Sequence, residues 1–193
     1  MTKTIFENSI KKSIQLKNNI LKDNEILKSV ESIVDEIVKT FNSGGKVFFC
    51  GNGGSAADAQ HLAAELSGRF YIDRPALYAE ALHVNTSYIT AISNDYGYDI
   101  IYSRLIEGFT KKGDILIGIS TSGNSKNVVN ALIKAKELDV LTISLTGNNG
   151  GKMKEISDYN INIPTTETPR IQECHILLGH IICQLVESKM FSL

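Results

Sequence analysis

Lys46-Val-Phe-Phe-Cys50, running directly into Gly51-Asn-Gly-Gly-Ser-Ala-Ala-Asp-Ala-Gln-His-Leu-Ala-Ala-Glu65, is the stretch on which the reading of this chain turns. The first run is short and mostly apolar, the pattern of a buried strand. Glycines and small residues then open an Ala-rich stretch that reads as a helix. A strand, a glycine turn and a helix N-terminus together place backbone N–H groups and a positive dipole end beside a ligand. Further along the same helix stand His61 and Glu65. At i, i+4 they lie about 40° apart around the axis and roughly 6 Å apart along it. An anion cradle and a candidate metal pair therefore share one element.

A second cradle follows downstream. Asp114-Ile-Leu-Ile-Gly-Ile119 is another buried-strand pattern and leads into Ser120-Thr-Ser-Gly-Asn-Ser125. Lys126 to Leu138 is then helical in pattern, with Val128, Val129, Leu132 and Ala135 along one side. Hydroxyls at Ser120, Thr121, Ser122 and Ser125, at a strand's carboxyl end and before a helix, suit the acceptor oxygens of a phosphate. Alone, such a loop reads as a Ser/Thr N-cap on a polar turn. Two of them, in the order an α/β sheet expects, point to a ligand site.

The rest of the chain supports that architecture. Candidate strands fall at 46–50, 78–82, 114–119, 140–145 and 160–163, with helical patterns between them and after the last. This alternation predicts a five-stranded parallel sheet with helices on both faces, in a single domain spanning 1–193. Ligands then bind at the carboxyl ends of the strands, where both loops lie. Between Ile26 and Phe41 the apolar positions form a 3.6-residue stripe that ends in Asn42-Ser-Gly-Gly45. Before it, Ile10, Ile14, Leu16, Ile20 and Leu21 mark a weaker helix. Two helices ahead of the first strand exceed what a small sheet needs, so residues 1–42 read as an N-terminal helical extension for oligomerisation and 43–193 as the α/β core. The last helix, from about 169 to 189, starts at Pro169 and carries Gln172, Glu173, His175 and His180 in an apolar segment. A histidine so placed ordinarily hydrogen-bonds a backbone carbonyl in the core.

Bulk properties exclude several classes. Of 193 residues, 42% are hydrophobic and 21% charged, and the net charge is −1, so nucleic acid is a poor partner. No apolar run reaches the roughly 18 residues of a membrane span, and Met1-Thr-Lys-Thr is no signal peptide, so a cytoplasmic protein without a membrane partner is expected. Cys50, Cys174 and Cys183 sit in apolar stretches without C-x-x-C spacing and read as buried thiols.

Taken jointly, Gly51-Asn-Gly-Gly-Ser-Ala-Ala-Asp-Ala-Gln-His with Glu65, Ser120-Thr-Ser-Gly-Asn-Ser125, Arg170-Ile-Gln-Glu173 and His180 closely resemble the bacterial phosphoheptose isomerases of the sugar-isomerase (SIS) group. The resemblance extends to Asn94-Asp95, Leu145-Thr-Gly147 and Gly150-Gly-Lys-Met153, nearly the whole chain. It implies a flavodoxin-like SIS fold, a homotetramer, and interconversion of sedoheptulose 7-phosphate with D-glycero-D-manno-heptose 7-phosphate, toward lipopolysaccharide or capsule heptoses. It further implies Glu65 and His180 as acid/base pair and zinc on His61, Glu65, Gln172 and His180. Substrate contacts would fall on Asn52, Gly53, Gly54, Glu65, Asn94, Asp95, Ser120, Thr121, Ser122, Ser125 and Gln172. The chemistry asks for much the same set. Moving a proton between carbons 1 and 2 passes through an enediol, which needs a base, and a metal near both oxygens stabilises the enediolate. The resemblance also loads two competing roles, ligand and base, onto Glu65. Some relatives carry Asp where this chain has Pro169.

Two other readings compete. A non-catalytic SIS-fold regulator, similar to the replication initiator-associating protein, would lack the acid/base pair that Glu65 and His180 supply here. A dinucleotide-binding protein would use Gly51-x-Gly-x-x-Ala56 with Asp73 on the ribose. However, Asp73 sits in Phe70-Tyr-Ile-Asp-Arg-Pro75, away from a strand end, and no nucleotide cofactor is expected.

Overall fold

The computed structural model describes residues 1–191. Five strands, β1 (Val47–Gly51), β2 (Ala79–Ala81), β3 (Ile115–Ser120), β4 (Leu141–Gly147) and β5 (Tyr159–Ile163), form one sheet. All neighbours pair parallel, in the order β2-β1-β3-β4-β5. This is the flavodoxin-like order, whose switch point lies between β1 and β3. Each strand agrees with its predicted span to within two residues.

Strand alternation divides the core. Val47, Phe49, Ile115, Ile117, Ile119, Ile143 and Leu145 face one side, under α2 (Asn24–Asn42), α3 (Gly54–Ser67) and α8 (Thr168–Phe191). Phe48, Cys50 and Leu116 face the other, under α4 (Thr86–Tyr96), α5 (Ile101–Phe109), α6 (Lys126–Glu137) and α7 (Gly151–Ile156). With both sides covered, the strands are near-continuous apolar runs, as a parallel sheet requires. The three cysteines are buried free thiols.

The N-terminal region corrects one expectation. α2 is not surplus: Val30, Ile33, Val34 and Ile37 are buried against the sheet and α8, so the core begins at α2 rather than at residue 43. Its N-terminus is capped by Asp23, whose carboxylate accepts from the N–H groups of Glu25 and Ile26. α1 (Thr2–Leu21) leaves a run of apolar side chains uncovered. It buries Leu16 and leaves Ile5, Phe6, Ile10 and Ile14 at least half exposed.

α3 and α8 run side by side in the same direction, since Gly54 meets Gln172 and Leu62 meets Gly179. A buried ion pair locks their far ends. Arg74 Nε donates to Glu187 Oε1 at 3.0 Å, with both side chains nearly inaccessible at 2% and 1%. The remaining guanidinium N–H groups cap α3, donating to the carbonyls of Glu65, Leu66 and Gly68. Glu187 also accepts the N–H groups of Phe70, Tyr71 and Ile72, which ties the loop after α3 to α8. Burial pushes the Glu187 carboxyl up. Those three N–H donors and Arg74 outweigh it and hold the group below its ordinary value of 4.5.

A carboxyl held low when folded contributes stability that is complete above its unfolded value and is lost as pH falls through the folded one. Glu187→Gln strands the Arg74 guanidinium and is expected to cost about 3–5 kcal/mol in urea denaturation at pH 7. The gap between wild type and variant should be constant above pH 4.5 and narrow below it. A gap independent of pH down to acid unfolding would show that the carboxylate charge contributes nothing.

Candidate active site

The loop Ser120–Ser125 gathers hydrogen-bonding groups at the start of α6. Ser125 occupies the N-cap position of α6 but does not cap it. Its Oγ pairs instead with Ser120 Oγ at 2.9 Å, and Ser122 Oγ lies 3.4 Å from Ser120 Oγ. Among the described residues, the N–H groups of Thr121, Ser122, Ser125, Lys126 and Asn127 have no protein acceptor. The capping reading of this loop therefore fails: hydroxyls and unpaired N–H groups converge at a helix N-terminus. Gly123 (φ +63°) lets the loop press on the turn after β4, since a Cβ there would stand 2.0 Å from the Gly150 carbonyl oxygen.

The loop after β1 lies alongside. Gly53 is the N-cap of α3 with φ +56°, open above, and offers no side-chain cap. Gly54 is required by proximity: a Cβ would lie 2.4 Å from Gln172 Nε2, so the Gln172 amide rests on this turn. Asn52 and Asn127 exchange side-chain amide hydrogen bonds of 2.8 and 2.9 Å across the two loops. Asn94 and Asp95 close α4, exposed and bonded to each other at 2.9 Å. Just beyond them, the Tyr98 hydroxyl reaches Asn52 Oδ1 at 3.0 Å, so this segment borders the β1 loop.

His61, Glu65 and His180 come together within one chain. His61 Nε2 lies 3.0 Å from Glu65 Oε1 and 3.3 Å from His180 Nε2. One donor atom from each residue falls within 4.8 Å of the others. A zinc tetrahedron with bonds of about 2.0–2.2 Å has edges of about 3.3–3.6 Å, so the two imidazole nitrogens are already at that spacing and the carboxylate is slightly inside it. Two His nitrogens and one carboxylate oxygen, partly open to solvent, match a catalytic three-ligand zinc set with a fourth place for water or substrate. Glu65 Oε2 makes no hydrogen bond among the described residues, leaving one oxygen for a metal and one for a proton. Phe70 packs on His180 with ring centroids 5.7 Å apart.

Within one chain Gln172 does not join this triad. It precedes His180 by eight residues of α8, about 12 Å of helix rise and 80° of rotation, and its amide sits on Gly54. Glu65 and His180 are brought together within one chain by the parallel contact of α3 with α8. His175, not His180, is the core histidine of the last helix. It is fully buried, with Nε2 3.0 Å from the Thr146 carbonyl oxygen, and burial draws it down to about 4 against that contact. Asp73 is exposed, six residues before β2, and not at a strand's carboxyl end. Sequence reading missed Asn127, Tyr98, Phe70 and the Arg74–Glu187 pair. The one usable signal was Asn127 itself, an amide buried at the second position of an otherwise apolar-faced helix.

Comparison with known proteins agrees with this geometry. The SIS domain family model matches residues 10–147. The phosphoheptose isomerase of Clostridium acetobutylicum is 50% identical over 189 residues, covering 98% of this chain and 96% of that protein. Phosphoheptose isomerase 2 of Campylobacter jejuni is 50% identical, covering 93% and 89%. The solved phosphoheptose isomerase of Neisseria gonorrhoeae superposes with a TM-score of 0.92 at 40% identity, covering 97% of this chain and all of that one. With its SIS sheet and His61–Glu65–His180 triad, the chain belongs to the phosphoheptose isomerase family of SIS-domain enzymes.

Proposed function

We propose that the chain interconverts sedoheptulose 7-phosphate and D-glycero-D-manno-heptose 7-phosphate, in the supply of heptose for lipopolysaccharide or capsule. The observation that carries this reading is the convergence of His61, Glu65 and His180 on an enzyme fold whose switch point is flanked by a hydroxyl-rich loop with N–H groups lacking a protein acceptor. Ser120, Thr121, Ser122 and Ser125 hold the phosphate through hydroxyls and the N–H groups of the α6 N-terminus. Asn52, Gly53, Gly54, Asn94, Asp95 and Gln172 contact the sugar. Most of the Asn52 amide is committed to Asn127 and Tyr98, so its share is one Nδ2 hydrogen and its backbone.

Glu65 takes a proton from the carbon beside the carbonyl, through the oxygen not facing His61. His180 gives a proton to the carbonyl oxygen and takes one from the adjacent hydroxyl as the double bond moves, and return of the Glu65 proton to the other carbon completes the isomerisation. His61, Glu65 and His180 would hold a zinc ion, which would supply charge stabilisation to the two substrate oxygens. The exposed stripe Ile5, Phe6, Ile10 and Ile14 on α1 is the surface we assign to a homotetramer, which works in the cytoplasm.

Glu65→Gln and His180→Gln should each abolish formation of the aldose phosphate while leaving circular dichroism and sedimentation unchanged. Since both residues serve one site within a chain, mixing the two variants should restore nothing. Near wild-type turnover in either variant removes that residue from the mechanism.

Metal-free protein titrated with Zn2+ is expected to take up one ion per chain, seen calorimetrically and as a raised melting temperature. His61→Ala should weaken that uptake by at least about tenfold. Binding unaffected by His61→Ala would exclude the triad as the site.

Removing one hydroxyl among Ser120, Thr121, Ser122 and Ser125 should cost about 0.5–3 kcal/mol of substrate binding, raising KM more than it lowers kcat. Equal turnover of unphosphorylated sedoheptulose would contradict the cradle.

A further inference from the structure

The loops after β1 and β3 are joined by less than their proximity suggests. β1 and β3 pair in register up to Gly51 opposite Ile119, and there the ladder ends. Beyond it, among the described residues, no backbone hydrogen bond connects residues 52–56 with residues 120–127. The reciprocal amide pair Asn52–Asn127 is the hydrogen-bonded link between them.

The polarity of that link can be assigned. Asn127 Oδ1 accepts the N–H of Val128 at 3.0 Å, and a backbone N–H can only donate, so this atom is the amide oxygen. Asn52 therefore turns its Nδ2 to Asn127 Oδ1 and its Oδ1 to Asn127 Nδ2. The Tyr98 hydroxyl, 3.0 Å from Asn52 Oδ1, is then forced to be a donor. It fills the second lone pair of that oxygen and holds the Asn52 amide in the one orientation that closes the pair.

Tyr98 is itself held from two further directions. It opens the 3-10 turn Tyr98–Ile100, which follows Gly97 at φ +94°. In that turn the Asp99 carbonyl accepts from Asn130 Nδ2 at 3.0 Å, and the Asp99 carboxylate pairs with Lys126 at 3.7 Å, both on α6. Its ring is half exposed, so the hydroxyl does not owe its place to core packing.

From this geometry we infer that Tyr98 is a positioning residue, whose hydroxyl orients Asn52 and so fixes the spacing of the phosphate loop from the sugar loop. It acts through Asn52 and needs no contact with substrate. A ligand that bridges the loops, phosphate on one and sugar on the other, senses this spacing, whereas the proton-transfer step at Glu65 and His180 does not. The inference rests on the proposed reading of the two loops as parts of one sugar-phosphate site.

Tyr98→Phe removes one hydroxyl from a half-exposed ring and leaves the fold intact. Its KM for sedoheptulose 7-phosphate should rise by about 2- to 12-fold, what the net worth of one neutral hydrogen bond gives, with kcat within about twofold of wild type. In Asn127→Ala the link is already gone, so adding Tyr98→Phe should change KM no further. Independently of any substrate, hydrogen–deuterium exchange at amides 52–56 and 120–127 should be faster in Tyr98→Phe. A wild-type KM with unchanged exchange overturns the inference, as does a loss confined to kcat or an effect that adds to that of Asn127→Ala. Wild-type protein inert toward sedoheptulose 7-phosphate would instead overturn the functional reading, and the exchange measurement would still decide the role of Tyr98.

Discussion

Everything at the triad depends on how closely α3 and α8 approach, and Gly179 sets that distance. A Cβ on Gly179 would stand 2.5 Å from Leu62 Cδ1 and 2.6 Å from its Cδ2. With no side chain there, Leu62 packs directly against the backbone of α8. The neighbours of that contact, His61 on α3 and His180 on α8, are then brought ring to ring at 4.8 Å between centroids. Glycine in a helix interior is unfavourable by about 1 kcal/mol relative to alanine. The close approach of two helices gives that cost a structural reason.

The ends of the same helix pair are fixed by polar groups rather than by packing. Arg74 and Glu187 close the far end, and through Arg74 the backbone carbonyl of Glu65 is held directly. The same carboxylate fixes the N–H of Phe70, whose ring lies on His180. Two of the three triad residues are thus supported by one buried ion pair outside the site. Breaking such a pair leaves an uncompensated charge in the interior. At the near end, Gly54 admits the Gln172 amide onto the first turn of α3, so small residues at both contacts set the register of the two helices.

The two histidines of α8 show how neighbours divide one chemistry. His175 faces the sheet, has Nε2 against the Thr146 carbonyl, and is drawn down to about 4 by burial. His180, five residues on, lies on the outward side with Nε2 turned to His61. Both sit among Leu and Ile in the sequence. Their difference is one of rotation about the helix axis, about 140° for five residues.

The sequence alone determined the strand–helix alternation, and with it a parallel sheet, because the short apolar runs at 46–50, 114–119 and 140–145 are bounded by turn residues and separated by helical periods. It also determined both loops, since a glycine or hydroxyl cluster between a strand and a helix is a local pattern. His61 with Glu65 was legible for the same reason, being one helical turn. What only the tertiary structure decided is every relation between residues far apart in the chain. His180 reaches His61 across 119 positions, Asn127 reaches Asn52 across 75, and Glu187 reaches Arg74 across 113. α2 also proved to be core while most of the apolar side of α1 stays uncovered, although both are amphipathic, because a periodic apolar stripe specifies that a face will be buried and not against what. Helical and strand periods are imposed by neighbouring residues. The packing of α8 beside α3 is imposed by the shape of two surfaces that meet only when the chain has folded.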